Sequence, residues 1–197
     1  MEFFESLKKR RSVYNINKEV KVTEEEILNV IETAVLYTPS AYNSESQRAV
    51  VLLNDKHDLL WEIVKDEIKK VVKPEDYKVS ETKINSFKNG HGTVLFFDDI
   101  LTTNELMTKF PLYKDNFYRW SIEQNGMLQG NVWVGLETLG LGASLQHYNE
   151  LIEKRVKEEF GIDENWQLIA QLPFGNLAEV PAEKTKKALI ERLKVIK

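Results

Sequence analysis

The sequence predicts a single α+β or α/β domain spanning residues 1–197, and three observations lead there. Its 197 residues suffice for one sizeable core and are short for two independent ones. Apolar residues recur at helical spacing over several long stretches. Between them lie short, continuously apolar runs of strand character, such as residues 49–53 and "TVLFFDD". Composition agrees, since 42% hydrophobic and 29% charged residues are ordinary for a globular domain.

The elements follow in order. Residues 2–9 read as a short amphipathic helix with Phe3, Phe4 and Leu7 on one face. Thr23 with Glu26 three positions later forms a capping-box signature. Behind it Ile27, Ile31, Ala34 and Val35 keep helical spacing, which predicts a helix over residues 23–37. Pro39 ends it, because the residue before a proline avoids helical geometry. Residues 48–53 are then a strand whose continuous apolar character places it inside a sheet.

Leu60, Ile63, Val64, Ile68 and Val71 predict a helix over residues 56–72, followed by a loop at Pro74 and a polar helix over residues 80–88. "NGHG" breaks the chain before a buried strand at residues 93–99, and residues 101–110 read as a further helix. The longest helix is expected over residues 117–139, stopped by Gly140. "GASLQHY" reads as a third strand, and Asn149 as the cap of a helix carrying Leu151, Ile152, Val156 and Phe160 that Gly161 closes. "WQLIAQLPFG" is a fourth strand, with Pro173 marking an edge or an end. From Asn176 onward a short helix or an extended arm is expected; no repeat, linker or low-complexity segment interrupts the chain.

Gly126, Gly130 and Gly135 fall inside the long helix, where each glycine costs roughly 1 kcal/mol relative to alanine. Gly126 and Gly130 share a face and admit close approach of another surface, either the sheet of the same chain or a second subunit.

Several function classes are excluded. A net charge of -4 argues against a nucleic-acid binder. Without cysteine there are no disulfides, thiolate nucleophiles or Cys-ligated metals. His57, His91 and His147 lack metal-ligand spacing and read as surface or hydrogen-bonded histidines, so no metal is expected. "MEFFESLKKRRS" is not a signal peptide, and no stretch approaches the roughly 20 apolar residues of a membrane span, which suggests a cytoplasmic chain with no membrane partner. There is no Gly-x-Ser-x-Gly elbow and no Walker sequence. "GLG" at residues 140–142 lacks the third glycine and precedes a strand, so the dinucleotide fingerprint fails. Asp98 and Asp99 end an apolar strand and read as residues meeting solvent.

What remains is a set of separated polar stretches: Arg10-Arg11-Ser12, the cluster from Ser40 to Arg48, and residues 184–187. Guanidinium and ammonium groups suit a phosphate, and Ser, Asn and Gln suit a polyol. A cofactor combining both with a flat aromatic end would use all three stretches. Flavin mononucleotide (FMN) fits, and it carries redox chemistry without an obligatory catalytic side chain.

The motifs "RRSVYNI", "TPSAYNSESQRAVVL", "LGLGASLQHYN" and "PFGNLAEVPAEKTKK" are similar to those of the nitroreductase family, in family order and across essentially the whole chain. The chain most resembles the small subgroup described as fatty-acid-repression-mutant-type. The resemblance implies an α+β, three-layer α-β-α fold with a central mixed or antiparallel sheet, assembled as an intertwined homodimer around FMN. It implies that Arg10, Arg11 and Ser12 meet the phosphate, the ribityl chain and the pyrimidine edge, and that Ser40 and Asn43 reach the flavin from the partner subunit. It further implies roles for Gln47 in the same motif, for Leu145, Gln146 and His147 as a loop near the isoalloxazine, and for Lys184 and Lys186 near the phosphate. Electrons would pass from NAD(P)H to a nitroaromatic or quinone-like acceptor. Tyr14 and "QHYNELIEK" depart from other subgroups, which leaves the donor and acceptor open. The rival reading is a flavin-binding regulator of lipid or stress responses without significant turnover.

Overall fold

The structure, a computed structural model, describes residues 2–197. Seven helices and five strands follow one another: α1 (Phe3–Lys9), β1 (Ile16–Asn17), α2 (Glu24–Tyr37), β2 (Gln47–Leu53), α3 (Asn54–Val71), α4 (Pro74–Lys88), β3 (Gly92–Asp99), α5 (Ile100–Lys109), α6 (Lys114–Thr138), β4 (Leu141–Ala143), α7 (Asn149–Phe160) and β5 (Trp166–Leu177). Every strand pair is antiparallel; Ser12 and Ala143 form an isolated parallel bridge. The class is α+β, as expected.

β5 is the hub of the sheet. It pairs with β3 along most of its length, with β4 near its end and with β1 at Asn176 and Leu177. Side chains alternate across a strand, so β3 serves two cores at once. Val94 and Phe96 pack with Ile27 and Ile31 of α2 and Leu128, Val132 and Leu136 of α6. Leu95 and Phe97 pack on the opposite face with Trp61 and Val64 of α3, Phe87 of α4 and Val156 of α7. Helices therefore cover both faces, giving three layers.

The caps explain most boundaries. Thr23 and Glu26 close the predicted capping box on α2. Gly140 and Gly161 take left-handed backbone after α6 and α7, at φ 75° and 63°.

Five expectations need correction. β2 is an edge strand, not an interior one: it pairs with β3 alone, and its residues are half-buried except for buried Leu52. Its apolar run is explained by helices over both its faces, not by strands on both its sides. Pro173, conversely, lies within the hub strand opposite Thr93. Its missing N–H falls where the neighbour on the other edge is interrupted, between β4 and the bridge of Gln146 to Gln171. The third strand is therefore short, ending at Ala143 instead of running to Tyr148. Pro74 starts α4 at its first turn, a position where a proline N–H is not needed, instead of sitting in a loop. Asn149 does not cap α7; its side chain donates to Ile169 O (2.7 Å) and accepts from Gln171 Nε2 (2.7 Å), tying the helix to the hub strand.

A buried polar group sits between α3 and β3. His57 is fully buried, with Nδ1 2.9 Å from Thr93 Oγ1 and Nε2 3.1 Å from Lys88 O, while Trp61 Nε1 donates to Thr93 Oγ1 at 3.0 Å. Lys88 O can only accept, so the proton sits on Nε2 and Thr93 donates to Nδ1. Burial pushes the imidazole pKa down to about 4.

Candidate functional site

The N-terminal cations arrive at the end of α1, where Lys8 and Lys9 complement the helix C-terminus. Arg10 caps the helix through its N–H to Ser6 O, 2.8 Å. The chain then turns extended, and Ser12 bridges Ala143 while Val13 N donates to Ala143 O at 2.9 Å. The triplet Arg10, Arg11 and Ser12 is thereby fastened beside the segment carrying Ser144, Leu145, Gln146 and His147. Gly142 permits this approach, since a Cβ there would lie 3.0 Å from Val13.

The C-terminal segment returns to the same place. Leaving β5, Ala178 N donates to Asn15 O at 3.0 Å, and Arg11 Nη1 donates to Ala182 O at 2.8 Å. The segment runs on as an extended arm with one short 3-10 turn, as foreseen. The result is a cavity of about 860 Å³ lined by Lys8, Lys9, Arg10, Arg11, Lys184, Lys186, Lys187 and Arg192, with only Glu137 and Glu183 of opposite sign. Among the described residues, Lys8 pairs with Glu5 at 2.8 Å, and the other seven of those cations are in no salt bridge. Burial raises the Glu137 carboxyl above its usual pKa, while Lys9 and Arg10 pull the other way. The Arg10 guanidinium lies 4.3 Å above the Trp133 ring, which fixes it at the cavity wall. An uncompensated set of guanidinium and ammonium donors in one concavity has the chemistry of a phosphate site, and it fits the phosphate end of FMN.

The Ser40–Arg48 cluster behaves differently from the expectation that its donors and acceptors face a ligand. Most of them hold the segment in place. Gln124 of α6 accepts from Ala41 N (2.8 Å) and donates to Ser46 Oγ (2.8 Å) and Ser44 Oγ (3.2 Å). Ser40 Oγ accepts from Glu45 N at 2.9 Å, and Asn43 Nδ2 donates to Glu45 Oε1 at 3.0 Å. Gln47 Nε2 donates to Pro39 O at 3.2 Å, and Arg48 Nη2 pairs with Asp99 at 2.8 Å. Within this segment Tyr42, Asn43 and Glu45 all take left-handed backbone, at φ 55°, 52° and 49°. Such a concentration in residues other than glycine is strained and belongs to segments held for a purpose. Tyr42 is anchored among Phe110, Phe117 and Trp120, with ring centroids 4.7, 5.4 and 6.2 Å away.

Within one chain the predicted residues fall into two groups. Arg10, Arg11, Lys184 and Lys186 converge on the basic cavity, with Ser12 and the segment of Leu145, Gln146 and His147 fastened alongside. Ser40, Asn43 and Gln47 do not line that cavity. Pro39 reaches nearest, sharing with Arg10, Leu7, Gly130 and Trp133 an apolar cavity of about 420 Å³. Asp98, expected to meet solvent, is fully buried, and Asp99 caps α5 by accepting from Leu101 N and Thr102 N. Glu137 and Arg192 were missed as residues of the basic cavity, and Trp133 as the ring beneath Arg10, whereas Lys187 falls within the basic stretch 184–187 expected there. The helical register of Trp133 and Glu137, four apart on α6, was the available signal for two of them.

Comparison with known proteins gives a consistent answer. The profile described as "Nitroreductase family" matches residues 7–176. Nitroreductase FRM2 of Saccharomyces cerevisiae is 30% identical over 190 residues, covering 93% of this chain and 92% of that protein. Nitroreductase CinD from Lactococcus lactis in complex with chloramphenicol superposes with a TM-score of 0.91 at 39% identity over 100% of both chains. A nitroreductase-type protein from Desulfovibrio desulfuricans in complex with FMN shares the fold, with a TM-score of 0.69 at 17% identity over 100% of this chain and 98% of its own.

Proposed function

This chain belongs to the nitroreductase family, and from that premise we propose that it is an FMN-dependent oxidoreductase that passes electrons from NAD(P)H to nitroaromatic or quinone-like acceptors. The whole chain acts as one FMN-binding domain, as a homodimer in the cytoplasm. The observation that carries the reading is the basic cavity, where cations from both ends of the chain meet, seven of the eight outside any salt bridge among the described residues. CinD, 39% identical, binds the nitroaromatic chloramphenicol, which supports that acceptor class.

Bound FMN would supply the redox chemistry, accepting two electrons from the nicotinamide and returning them to the acceptor. The chain's residues bind and orient. Lys184, Lys186 and Arg10 hold the phosphate. Arg11 uses one guanidinium N–H on Ala182 O and has others to offer the pyrimidine edge, where a fixed positive charge favours added negative charge. Ser40, Asn43 and Gln47, which do not line the basic cavity of their own chain, act on the partner's flavin. The segment of Leu145, Gln146 and His147 would border the isoalloxazine. No side chain is assigned as an obligatory acid, since water or substrate supplies protons.

The purified protein is expected to be yellow and to release FMN on denaturation, identified by mass spectrometry, and to bleach with NAD(P)H without oxygen. FAD, or no flavin after reconstitution with FMN, would sink the cofactor assignment. A yellow protein that NAD(P)H does not bleach would favour the regulatory reading. Within the site, Arg11→Ala is expected to weaken FMN binding by about 2–3 kcal/mol, because the contact is charge-assisted. Asn43→Ala is expected to cost about 1–2 kcal/mol. Fluorescence titration of the apoprotein measures both, and unchanged affinity in both variants rejects the site.

A further inference from the structure

Asp98 is a carboxylate at the end of β3 that the proposed chemistry does not use. It is fully buried and has no cation within salt-bridge distance; the nearby arginine, Arg48, pairs with Asp99 instead. Both its oxygens are met by hydroxyls: Ser46 Oγ donates to Oδ1 at 2.6 Å, and Thr103 Oγ1 of α5 donates to Oδ2 at 3.0 Å. Since Ser46 gives its only proton to Asp98, its oxygen is left to accept, and it accepts from Gln124 Nε2 at 2.8 Å. The other end of that amide, Oε1, accepts from Ala41 N at 2.8 Å. A directed chain of hydrogen bonds therefore runs from the 41–46 segment through Gln124 and Ser46 to Asp98, with Thr103 closing the far side.

Each link has a fixed polarity. A carboxylate can only accept, which orients both hydroxyls; the oriented Ser46 oxygen then requires a donor, which fixes the Gln124 amide; the fixed amide presents its oxygen to Ala41 N. Buried and fully satisfied, such a network specifies one conformation of the segment it holds. That segment contains the left-handed Tyr42, Asn43 and Glu45, a conformation that persists only where its surroundings impose it. A segment needed only for connection between α2 and β2 has no use for a buried uncompensated carboxylate and a strained backbone together.

We infer that Asp98, Ser46 and Gln124 are positioning residues that lock residues 40–46 in the strained conformation presenting Ser40 and Asn43 to a flavin bound in the opposite protomer. The inference rests on the FMN reading above, but its first half does not need the cofactor.

The test uses Ser46→Ala and Gln124→Met, which remove the hydroxyl or the amide with little change of volume, in the full-length protein. Hydrogen exchange of the apoprotein reads the segment directly: the Ala41 amide, and its neighbours to Ser46, are expected to exchange at least about tenfold faster while the β3 and β5 amides stay protected. FMN titration is expected to show affinity lowered by about tenfold or more, with visible circular dichroism of the bound flavin altered. Thr103→Val against Thr103→Ser gives a graded version, in which serine restores both readouts and valine does not. That pair carries the same test if Ser46→Ala or Gln124→Met fails to fold. Unchanged exchange at residues 41–46 overturns the network's role. Faster exchange with FMN affinity within about twofold of the parent overturns the link to the site. If the parent itself binds no FMN, the cofactor reading has failed, and the exchange result still decides whether the network locks the segment.

Discussion

Acidification from pH 7 to 4 is expected to remove about 3 kcal/mol of folding stability through His57 alone. The imidazole is depressed to about 4 in the folded protein from an ordinary 6.5, chiefly by burial. The unfolded chain therefore takes up the proton first as pH falls. Stability is fully present above pH 6.5, declines as pH falls through the window toward 4, and loses nothing further from this group below it. Hydrogen bonding leads to the same sign. A protonated Nδ1 would have to donate to Thr93 Oγ1, which already accepts from Trp61 Nε1 at 3.0 Å, and the displaced Thr93 proton would face the core without an acceptor. Urea unfolding at pH 7, 6 and 5 isolates the effect, because ordinary carboxylates scarcely titrate there. About 2 kcal/mol should be lost across that interval, and a slope no smaller in His57→Gln would show that another group is responsible.

That cluster also shows where sequence reading reaches its limit. Local signals with local consequences were legible: the Thr23–Glu26 box, the stop before Pro39 and the left-handed glycines 140 and 161 depend on neighbours within a few residues. The pattern of apolar runs gave helices and strands of a single α+β or α/β domain, and the three-layer arrangement came only with the family resemblance. It could not say that β2 is an edge, because an edge strand covered on both faces is as apolar as an interior one. Pro173 misled for the complementary reason: its tolerance depends on a gap in the neighbouring strand, between Ala143 and Gln146, that no local signal records. The polar cluster was visible, and its purpose was not. Ser46 finds Asp98 52 positions away and Gln124 78 positions away, so the segment looked like a set of free donors when most of them were already committed. The cavity cations were partly legible because they lie in charged runs, whereas Glu137 in the cavity and Trp133 beneath Arg10 are hidden in a helix whose faces are read only once its neighbours are known.

The glycines of α6 lead to the second large effect: Gly130→Leu is expected to separate the proposed dimer and release the proposed flavin while leaving the monomer's own fold intact or slightly more stable. Gly135 has an internal reason, since a Cβ there would lie 2.4 Å from Val30 of α2. Gly126 and Gly130 have none: both are exposed, and a Cβ at either would meet nothing within 4 Å. Two glycines in a helix interior sacrifice roughly 2 kcal/mol of propensity, which packing within the chain does not offset. Close approach of a second copy would. The surroundings suit one: Phe3, Leu7, Met127 and Trp133 line the apolar cavity beside Gly130, with Phe3 and Met127 53% and 46% exposed. A two-fold axis placed here buries that surface symmetrically. A leucine therefore has room in one chain and removes a propensity defect there, so its penalty falls entirely on the assembled state. If Ser40 and Asn43 act across the interface, as proposed, separated chains would retain the cations of the basic cavity but not the opposite wall of the site. FMN and dimer would then stabilise each other by mass action, because the cofactor would bind the assembled state. Sedimentation detected at the flavin absorbance reads mass and cofactor together, and chemical unfolding of the variant reads the monomer. A Gly130→Leu protein that runs as a monomer and keeps parental FMN affinity would show that each chain holds a complete site, and one that stays dimeric with full flavin would place the interface elsewhere.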